Sequence, residues 1–237
     1  LKDFLVIKNL KQIEKFDLFK EGYFIVQDQS AGLAAYYLNP KKNQKILDAC
    51  SAPGGKTTYL AQLMRNTGEI IALEKYQHRI SLVEQNIKRL GIKNVKTIVQ
   101  DTTTYNKNLK NKFDKILLDV PCMGIGVIKR KPDIKWQRTE EDIEEITKDQ
   151  KNILQVCSKY LKVGGEIVYS TCSILKKENE DVIKEFLQEN PNFKIKKEEF
   201  EELKNIDIFN INQGMININP QPGFDGFFIC KLEKFTN

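Results

Sequence analysis

The sequence has little of what several classes of protein require. It contains a single histidine, His78, which lies in a polar stretch typical of an exposed helix start, so a zinc site or a Ser-His-Asp triad is disfavoured. No apolar run approaches the length of a membrane span, and no signal-peptide pattern occurs. We therefore expect a cytoplasmic protein that uses no metal ion and does not enter a membrane.

The cysteines also lack the spacings of a metal site, because no Cys-x-x-Cys pair occurs. There are five, an odd and widely spaced set: Cys50, Cys122, Cys157, Cys172 and Cys230. Without an export signal, such a set indicates reduced thiols in the cytosol. We interpret Cys157 and Cys230 as small core residues and leave Cys50 open.

Composition indicates a globular chain with a modest preference for an anionic partner. The 237 residues are 41% hydrophobic and 30% charged, enough for one sizeable core. The net charge of +6 at pH 7 is compatible with nucleic acid binding, although it also fits an ordinary lysine-rich surface.

The stretch DACSAPGGKTTYLA, residues 48–61, ends like a phosphate-binding P-loop but does not begin like one. Gly55, Lys56 and Thr57 supply the end of that pattern, whereas Cys50 stands where its first glycine belongs. The dinucleotide pattern G-x-G-x-x-G is absent as well. A strand, a tight Pro-Gly-Gly turn and a helix start remain, and these bring backbone N–H groups close to a ligand.

Apolar segments alternate with helix-length segments along most of the chain, which predicts an α/β, doubly wound sheet. Strands are predicted at 45–50, 69–74, 95–101, 114–120, 166–172, 193–197 and 226–232, and helices at 56–65, 77–90, 139–161 and 177–189. We interpret residues 1–38 as an N-terminal extension that contains a helical remnant at 1–20, a strand at 23–28 and a helix at 30–38 with Ser30 as its N-cap. A long polar loop is predicted at 122–138.

Polar residues collect where the predicted strands end. In such a sheet, ligands bind beyond the carboxyl ends of the strands. Glu74 follows Gly54 by 20 residues, the spacing at which dinucleotide folds place the acid that binds a ribose. Asp-x-Pro-Cys after one strand and Thr-Cys after the next are the most specific signal. The residues concerned are Asp48, Cys50, Glu74, Asp101, Asp119, Cys122, Ser170, Thr171 and Cys172.

The motifs DACSAPGGKT, DVPCMGIGVIKRKPDIKW and YSTCSI together resemble the Sun (RsmB-like) family of RNA cytosine methyltransferases. ENEDVI (178–183) and DGFFICKL (225–232) are similar to its later motifs, so the resemblance covers roughly residues 22–232. It implies a Rossmann-like class I methyltransferase domain at 39–237, with 1–38 as the tail of a preceding RNA-binding region. It also implies methyl transfer from S-adenosylmethionine to carbon 5 of cytosine, in ribosomal RNA of the small subunit.

The resemblance implies a role for each motif. Cys172 is the nucleophile that adds to the ring, Cys122 assists its release, and Asp119 contacts the cytosine and lies near the cofactor. Cofactor binding falls to Cys50, Ser51, Ala52, Pro53, Gly54, Gly55, Lys56, Glu74, Asp101 and Asp119, with the function of Lys56 left open. The basic stretch beside Cys122 is expected to contact RNA through Lys129, Arg130, Lys131, Lys135, Trp136 and Arg138. We expect a monomer.

Three alternatives stay open at this point. A DNA cytosine methyltransferase would use Cys122 as its nucleophile, and the Thr-Cys motif argues against that. A P-loop NTPase would need a glycine in place of Cys50. A non-catalytic RNA-binding module would need neither Cys122 nor Cys172. The RNA contact of residues 129–138 also has a competing interpretation. In it, the basic loop is merely solvated and Trp136 packs inward.

Overall fold

One mixed sheet organises the residues that this computed structural model describes, which are 1–7, 12–198 and 209–236. Its nine strands in that part of the chain are β1 (Lys45–Asp48), β2 (Glu69–Glu74), β3 (Val95–Val99), β4 (Phe113–Asp119), β5 (Leu161–Thr171), β6 (Phe193–Ile195), β7 (Phe209–Asn212), β8 (Met215–Ile218) and β9 (Phe227–Lys234). The helices are α1 (Asp17–Lys20), α2 (Gln29–Leu38), α3 (Gly55–Leu63), α4 (Gln77–Arg89), α5 (Ile134–Gln137), α6 (Glu140–Ser158) and α7 (Glu180–Glu189).

The strand order is β3-β2-β1-β4-β5-β9-β8-β7, with β6 also paired to β9. Strands β1 to β5 are parallel to one another. Strand β9 runs antiparallel to β5, and the hairpin of β7 and β8 extends the sheet beyond β9. The order reverses between β1 and β4, which creates the crevice where open α/β sheets bind ligands. The predicted doubly wound α/β sheet is confirmed.

Both faces of the parallel strands are covered, which explains why they read as continuous apolar runs. Leu47, Ile116 and Leu118 belong to the core cluster beneath α6 and α7. Their neighbours Ile46 and Leu117 point to the opposite face, into the cluster beneath α2 and α3. No helix in the described ranges is long and apolar enough to cross a membrane.

The N-terminal segment differs from its prediction in two respects. Residues 23–28 form no strand, and the predicted helical remnant is reduced, in 12–20, to a 3-10 turn at Ile13–Lys15 and the short α1; 8–11 lie outside the described residues. The N-cap of α2 is Asp28, whose side chain accepts from the Ser30 backbone, and not Ser30 itself. The Ser30 hydroxyl instead donates to the Asp225 carbonyl, 3.0 Å away. The domain boundary after residue 38 stays a prediction.

The prediction for the fifth strand was wrong at its start. Strand β5 begins at Leu161, not at 166, because residues 162–165 form a bulge opposite β4 and Gly164 adopts a φ of +76° within it. The β7–β8 hairpin was not predicted. The predicted loop at 122–138 contains a 3-10 turn at Ile125–Val127 and the short α5. By contrast, Thr139 caps α6 with a reciprocal capping box, as its sequence predicted.

A buried cluster of charges joins the strands at the edge opposite the crevice. Glu166 on β5 accepts hydrogen bonds from Lys115 on β4, at 2.6 Å, and from Lys196. The fully buried Lys231 on β9 lies 3.8 Å from Glu166 and 2.5 Å from Glu198. Burial acts to raise the pKa of Glu166, but the two lysine hydrogen bonds bring it below its usual value. This carboxylate therefore stabilises the fold at neutral pH and loses that effect as acid protonates it.

Replacing Glu166 by glutamine removes the charge that three lysines share. We expect the free energy of unfolding at pH 7 to fall by about 3 kcal/mol, because the buried ammonium group of Lys115 is left without a counter-charge. Urea denaturation of wild type and E166Q measures the difference. The matched control is Glu69→Gln, which breaks the more exposed pairs with Lys45 and Lys96 and should cost less than about 1 kcal/mol. Equal losses in the two variants would contradict this role for Glu166.

Candidate active site

The turn between β1 and α3 occupies the crevice and leaves its backbone accessible. Gly54 caps α3 with a φ of +104°, and a Cβ at this position would approach the Val83 backbone to 3.1 Å. The Ala52–Pro53 peptide bond is cis. The carbonyls of Ala52 and Pro53 accept from Arg79 and Asn86 of α4, so the turn is held from one side. The α3 N-terminus therefore presents free N–H groups to the crevice.

Buried polar side chains hold the same turn from beneath. Asp48 accepts from the Thr57 hydroxyl at 2.7 Å, and the Ser51 hydroxyl donates to the Leu73 carbonyl of β2 at 3.0 Å. Burial raises the pKa of Asp48 to about 7. The other Asp48 carboxylate oxygen has no hydrogen-bond partner. Asp48 thus connects β1 to α3 without contacting the crevice directly.

Cys50 does not provide a reactive thiol. Its sulfur lies 3.9 Å from the Thr102 hydroxyl and packs against the core cluster beneath α6 and α7. Burial raises its pKa well above the ordinary value, and a protonated thiol is a poor nucleophile. The backbone of Cys50 is the part that remains for ligand contact.

Glu74 and Asp101 stand at the carboxyl ends of β2 and just after β3. Glu74 is buried, and it contacts Arg79 at 3.3 Å and the Tyr76 backbone at 3.2 Å. Asp101 pairs with Lys75 at 2.8 Å and accepts from Thr103. Although burial acts in the opposite direction, these hydrogen bonds lower the pKa of Asp101 to about 2. Their predicted contacts with a ribose and an adenine stay predictions.

Asp119 lies at the centre of the crevice and is held by two different elements. One carboxylate oxygen accepts from the Ser170 hydroxyl of β5 at 2.9 Å, and the other from the Lys56 ammonium of α3 at 2.6 Å. Lys56 also lies 5.4 Å from the ring centroid of Phe227 on β9. Lys56, whose function the sequence left open, is therefore the partner of Asp119. The sequence analysis did not single out Phe227 as a residue of the site, although its position in the DGFF motif could have indicated it.

Cys122 and Cys172 meet beside Asp119, as the two cysteine motifs predicted. Their sulfur atoms lie 2.9 Å apart, and both side chains are partly buried. The contact with Cys122 lowers the pKa of Cys172 against the opposing effects of burial and Asp119, and nearby Lys56 also acts to lower it. The same contact and burial raise the pKa of Cys122. Cys172 is thus the thiol that ionises more readily, and Cys122 is the one that keeps its proton.

The loop that contains the basic stretch lies next to the cysteines and is held by the residues just before β9. The Gly126 N–H donates to the Cys172 carbonyl, and Gly226 donates to the Gly126 carbonyl. A Cβ at Gly126 would lie 2.1 Å from the Gly226 oxygen, so only glycine permits this approach. Arg130, predicted to bind RNA, forms an ion pair with Asp225. Trp136 is 86% exposed, so the inward-packed interpretation is wrong. Also exposed are Lys129, Lys131, Lys135 and Arg138.

No three His, Cys, Asp or Glu side chains in the described part of the chain come together in an arrangement that could hold a metal ion. The groups that the crevice offers are backbone N–H groups, carboxylates, an ammonium group and two thiols. This set can bind a polar ligand and can form a covalent bond to an electrophilic carbon.

Curated proteins and a family profile resemble this chain over most of its length. The profile of the family described as 16S rRNA methyltransferase RsmB/F matches residues 35–233. The chain is 37% identical over 222 residues to the "Probable ribosomal RNA small subunit methyltransferase B" of Bacillus subtilis, and 40% identical over 218 residues to the corresponding methyltransferase B of Salmonella dublin. Each match covers 91% of this chain and 49% or 48% of the relative. The chain thus spans about half the length of the curated relatives it matches.

Solved structures resemble the whole described fold. The structure of NSun6 from Pyrococcus horikoshii with SFG has a TM-score of 0.82 and 36% identity, covering 96% of this chain and 57% of that one. A methyltransferase homolog protein from the same organism gives 0.78 and 32%, covering 96% and 73%.

A SAM-dependent O-methyltransferase from Thermotoga maritima is only 18% identical, with a TM-score of 0.58 over 90% of this chain and 68% of that one, and shares the fold alone. These likenesses confirm the Rossmann-like class I methyltransferase sheet. With a profile match over most of its residues and curated relatives above 30% identity, the chain belongs to the 16S rRNA methyltransferase RsmB/F family, as its resemblance to Sun proteins predicted.

Proposed function

We propose that this chain carries the catalytic site of an RNA cytosine methyltransferase that acts on carbon 5 of a cytosine in small-subunit ribosomal RNA. The observation that carries the proposal is the pair of sulfur atoms of Cys122 and Cys172, 2.9 Å apart beside Asp119 and Lys56. The names of the curated relatives support the choice of RNA. We propose that it works as a cytoplasmic monomer without a metal ion.

The β1–α3 turn fits S-adenosylmethionine, of which the SFG in the NSun6 structure is an analogue. Gly54 lets the turn pack closely against Val83 of α4, and the α3 N-terminus supplies N–H donors for a carboxylate. We assign the backbone of 50–56 to the methionine moiety, Glu74 to the ribose and Asp101 to the adenine. When bound, the cofactor supplies an electrophilic methyl group on a sulfonium.

The two thiols divide the covalent chemistry between them. Carbon 5 of cytosine is a weak nucleophile until a thiolate adds to carbon 6, which makes the ring an enamine. Cys172 forms that sulfur–carbon bond because it is the more acidic thiol. After transfer, a water molecule takes the proton from carbon 5, and the electron pair of that C–H bond re-forms the double bond to carbon 6. The sulfur–carbon bond then breaks, which releases the Cys172 thiolate and restores the aromatic ring. Cys122, which keeps its proton, is assigned to this release.

Asp119 is the group that contacts the cytosine edge. Ser170 and Lys56 hold both of its oxygens, so its orientation is set before the base arrives. Lys56 additionally favours the thiolate of Cys172. The target base must leave its stack to reach this site, and unpaired RNA regions allow this at low cost.

The exposed basic stretch supplies an RNA contact next to the thiols. We assign Lys129, Lys131, Lys135 and Arg138 to phosphate contacts and Trp136 to base stacking. Arg130, bonded to Asp225, holds the stretch in place while its exposed side still adds positive charge.

The alternative functions have weaker support. A DNA-type enzyme would use Cys122 as nucleophile, and the raised pKa of Cys122 disfavours that. A non-catalytic RNA-binding module gives no reason for two thiols in contact.

The cysteine roles predict opposite phenotypes. Cys172→Ala should abolish any covalent RNA adduct, whereas Cys122→Ala should let an adduct form and accumulate. Denaturing gel electrophoresis of purified protein with unmodified small-subunit ribosomal RNA and S-adenosylmethionine measures both. Cys157→Ala, a buried thiol away from the crevice, is the control and should behave as wild type. An adduct that persists in C172A but disappears in C122A would move the nucleophile to Cys122.

Removing the ammonium group of Lys56 should impair the thiolate. In Lys56→Met we expect the pKa of Cys172 to rise, because the cation is lost and Asp119 is left unneutralised. Methyl transfer at pH 7 should slow at least about tenfold, and higher pH should restore part of the rate. Iodoacetamide alkylation of Cys172 across pH, followed by peptide mass spectrometry, measures the shift. Lys162→Met, which breaks a pair of equal length with Asp114, should leave Cys172 unchanged.

Trp136 should contribute to RNA affinity by stacking. Trp136→Ala is expected to weaken binding of single-stranded RNA by a factor of about 5 to 100, since stacking on one base contributes roughly 1–3 kcal/mol. Fluorescence anisotropy at constant salt measures the dissociation constant. Tyr23→Ala, another exposed aromatic residue outside the basic stretch, is the control. Unchanged affinity in W136A would remove Trp136 from the RNA interface.

A further inference from the structure

Two consecutive buried residues, Glu178 and Asn179, have no role in the chemistry above. Glu178 ends the 3-10 turn Lys176–Glu178 and Asn179 is the N-cap of α7, and the two residues are 0% and 1% exposed. Polar side chains of this kind are rarely buried unless their hydrogen bonds serve the structure around them. Their partners are found on both cysteine segments.

Glu178 holds the segment that carries Cys122. One of its carboxylate oxygens accepts from the Met123 N–H at 2.8 Å and from the Gln150 side chain at 2.9 Å. The same Gln150 amide donates to the Pro121 carbonyl at 2.8 Å. Glu178 and Gln150 therefore bind the residues immediately before and after Cys122.

Asn179 holds the segment that carries Cys172 in the same manner. Its carbonyl oxygen accepts from the Thr171 hydroxyl at 2.6 Å, and its NH₂ group donates to the Ser173 carbonyl at 3.0 Å. The Thr171 hydroxyl in turn accepts from the Ser173 N–H at 3.3 Å. Asn179 thus binds the residues immediately before and after Cys172.

From this arrangement we propose that Glu178 and Asn179 are positioning residues which together set the separation of the two reactive thiols. Adjacent Cα atoms across a trans peptide are about 3.8 Å apart, so one short piece of backbone ties the two cysteine segments to each other. The proposal rests on the function assigned to Cys122 and Cys172 above. It predicts that each residue acts mainly on the thiol whose segment it holds.

The chemical difference between the two residues matches the different tasks of the thiols. The carboxylate of Glu178 acts on Cys122 and contributes to its raised pKa, which favours a thiol that keeps its proton. Asn179 is uncharged, so it holds the Cys172 segment without opposing a thiolate there. The second carboxylate oxygen of Glu178 is buried without a hydrogen-bond partner, an arrangement that costs stability and is more easily explained by a task at the site.

Two isosteric variants separate the effects. Glu178→Gln removes the charge near Cys122, and Asn179→Asp removes the donor to Ser173 while adding charge near Cys172. We expect the alkylation pKa of Cys122 to fall in E178Q and that of Cys172 to rise in N179D. With RNA, E178Q should form the adduct within twofold of the wild-type rate but release it at least tenfold more slowly. N179D should form the adduct at least tenfold more slowly.

Asn190→Asp is the matched control, because Asn190 ends α7 and bonds Gln155 and the Phe186 carbonyl away from the thiols. It should change neither thiol. Thermal melting of all variants separates misfolding from a local effect. If N179D does not fold, Asn179→Ser replaces it in the same alkylation assay. Parallel changes of both thiols in each variant, or the same changes in N190D, would overturn the proposal. The alkylation assay needs no RNA, so failure of the wild type to form an adduct would refute the proposed function and leave this result standing.

Discussion

The parallel register of β4 and β5 is the constraint on which the site depends. Asp119 pairs directly with Ser170 in this register, and both strands end at the same edge of the sheet. Cys122 and Cys172 follow within three residues of those positions. The fold therefore brings the two thiols together although their motifs are far apart in the sequence. A slip by one residue would turn the carboxylate and the hydroxyl to opposite faces.

Charged and polar groups hold that register at both ends of the strands. At the starting edge, Lys115 of β4 bonds Glu166 of β5, and the two residues are direct neighbours in the ladder. At the finishing edge, the Ser170 hydroxyl donates to Asp119. The apolar residues between them give stability but little register, since similar side chains would also pack after a shift. The specific polar pairs therefore fix the register, which the burial of apolar side chains alone does not.

Much of this could be predicted from the sequence, and the failures have physical causes. Short apolar runs located β1, β2 and β4 because strands buried on both faces read that way. The start of β5 was missed because Gly164 and Gly165 also end helices, and only the facing strand shows that they form a bulge. Cys122 and Cys172 were found because their motifs are local. Glu178 and Asn179 belong to the ENEDVI motif noted in the sequence, but the partners of Glu178 are 55 and 28 residues away, so its contacts are visible only in the folded structure.

Lys56 shows why a familiar tripeptide can serve a different ligand. In a P-loop, the lysine must be free to meet phosphate oxygens. Here its ammonium group is 2.6 Å from Asp119 and is only 14% exposed, so its charge is already neutralised. A triphosphate would have to displace that carboxylate, and Cys50 stands where a P-loop needs its first glycine. The same ion pair instead orients Asp119, and Lys56 within it acts to lower the pKa of Cys172. Asp119, 63 residues away in sequence, therefore decides what the Gly-Lys-Thr of this loop can do.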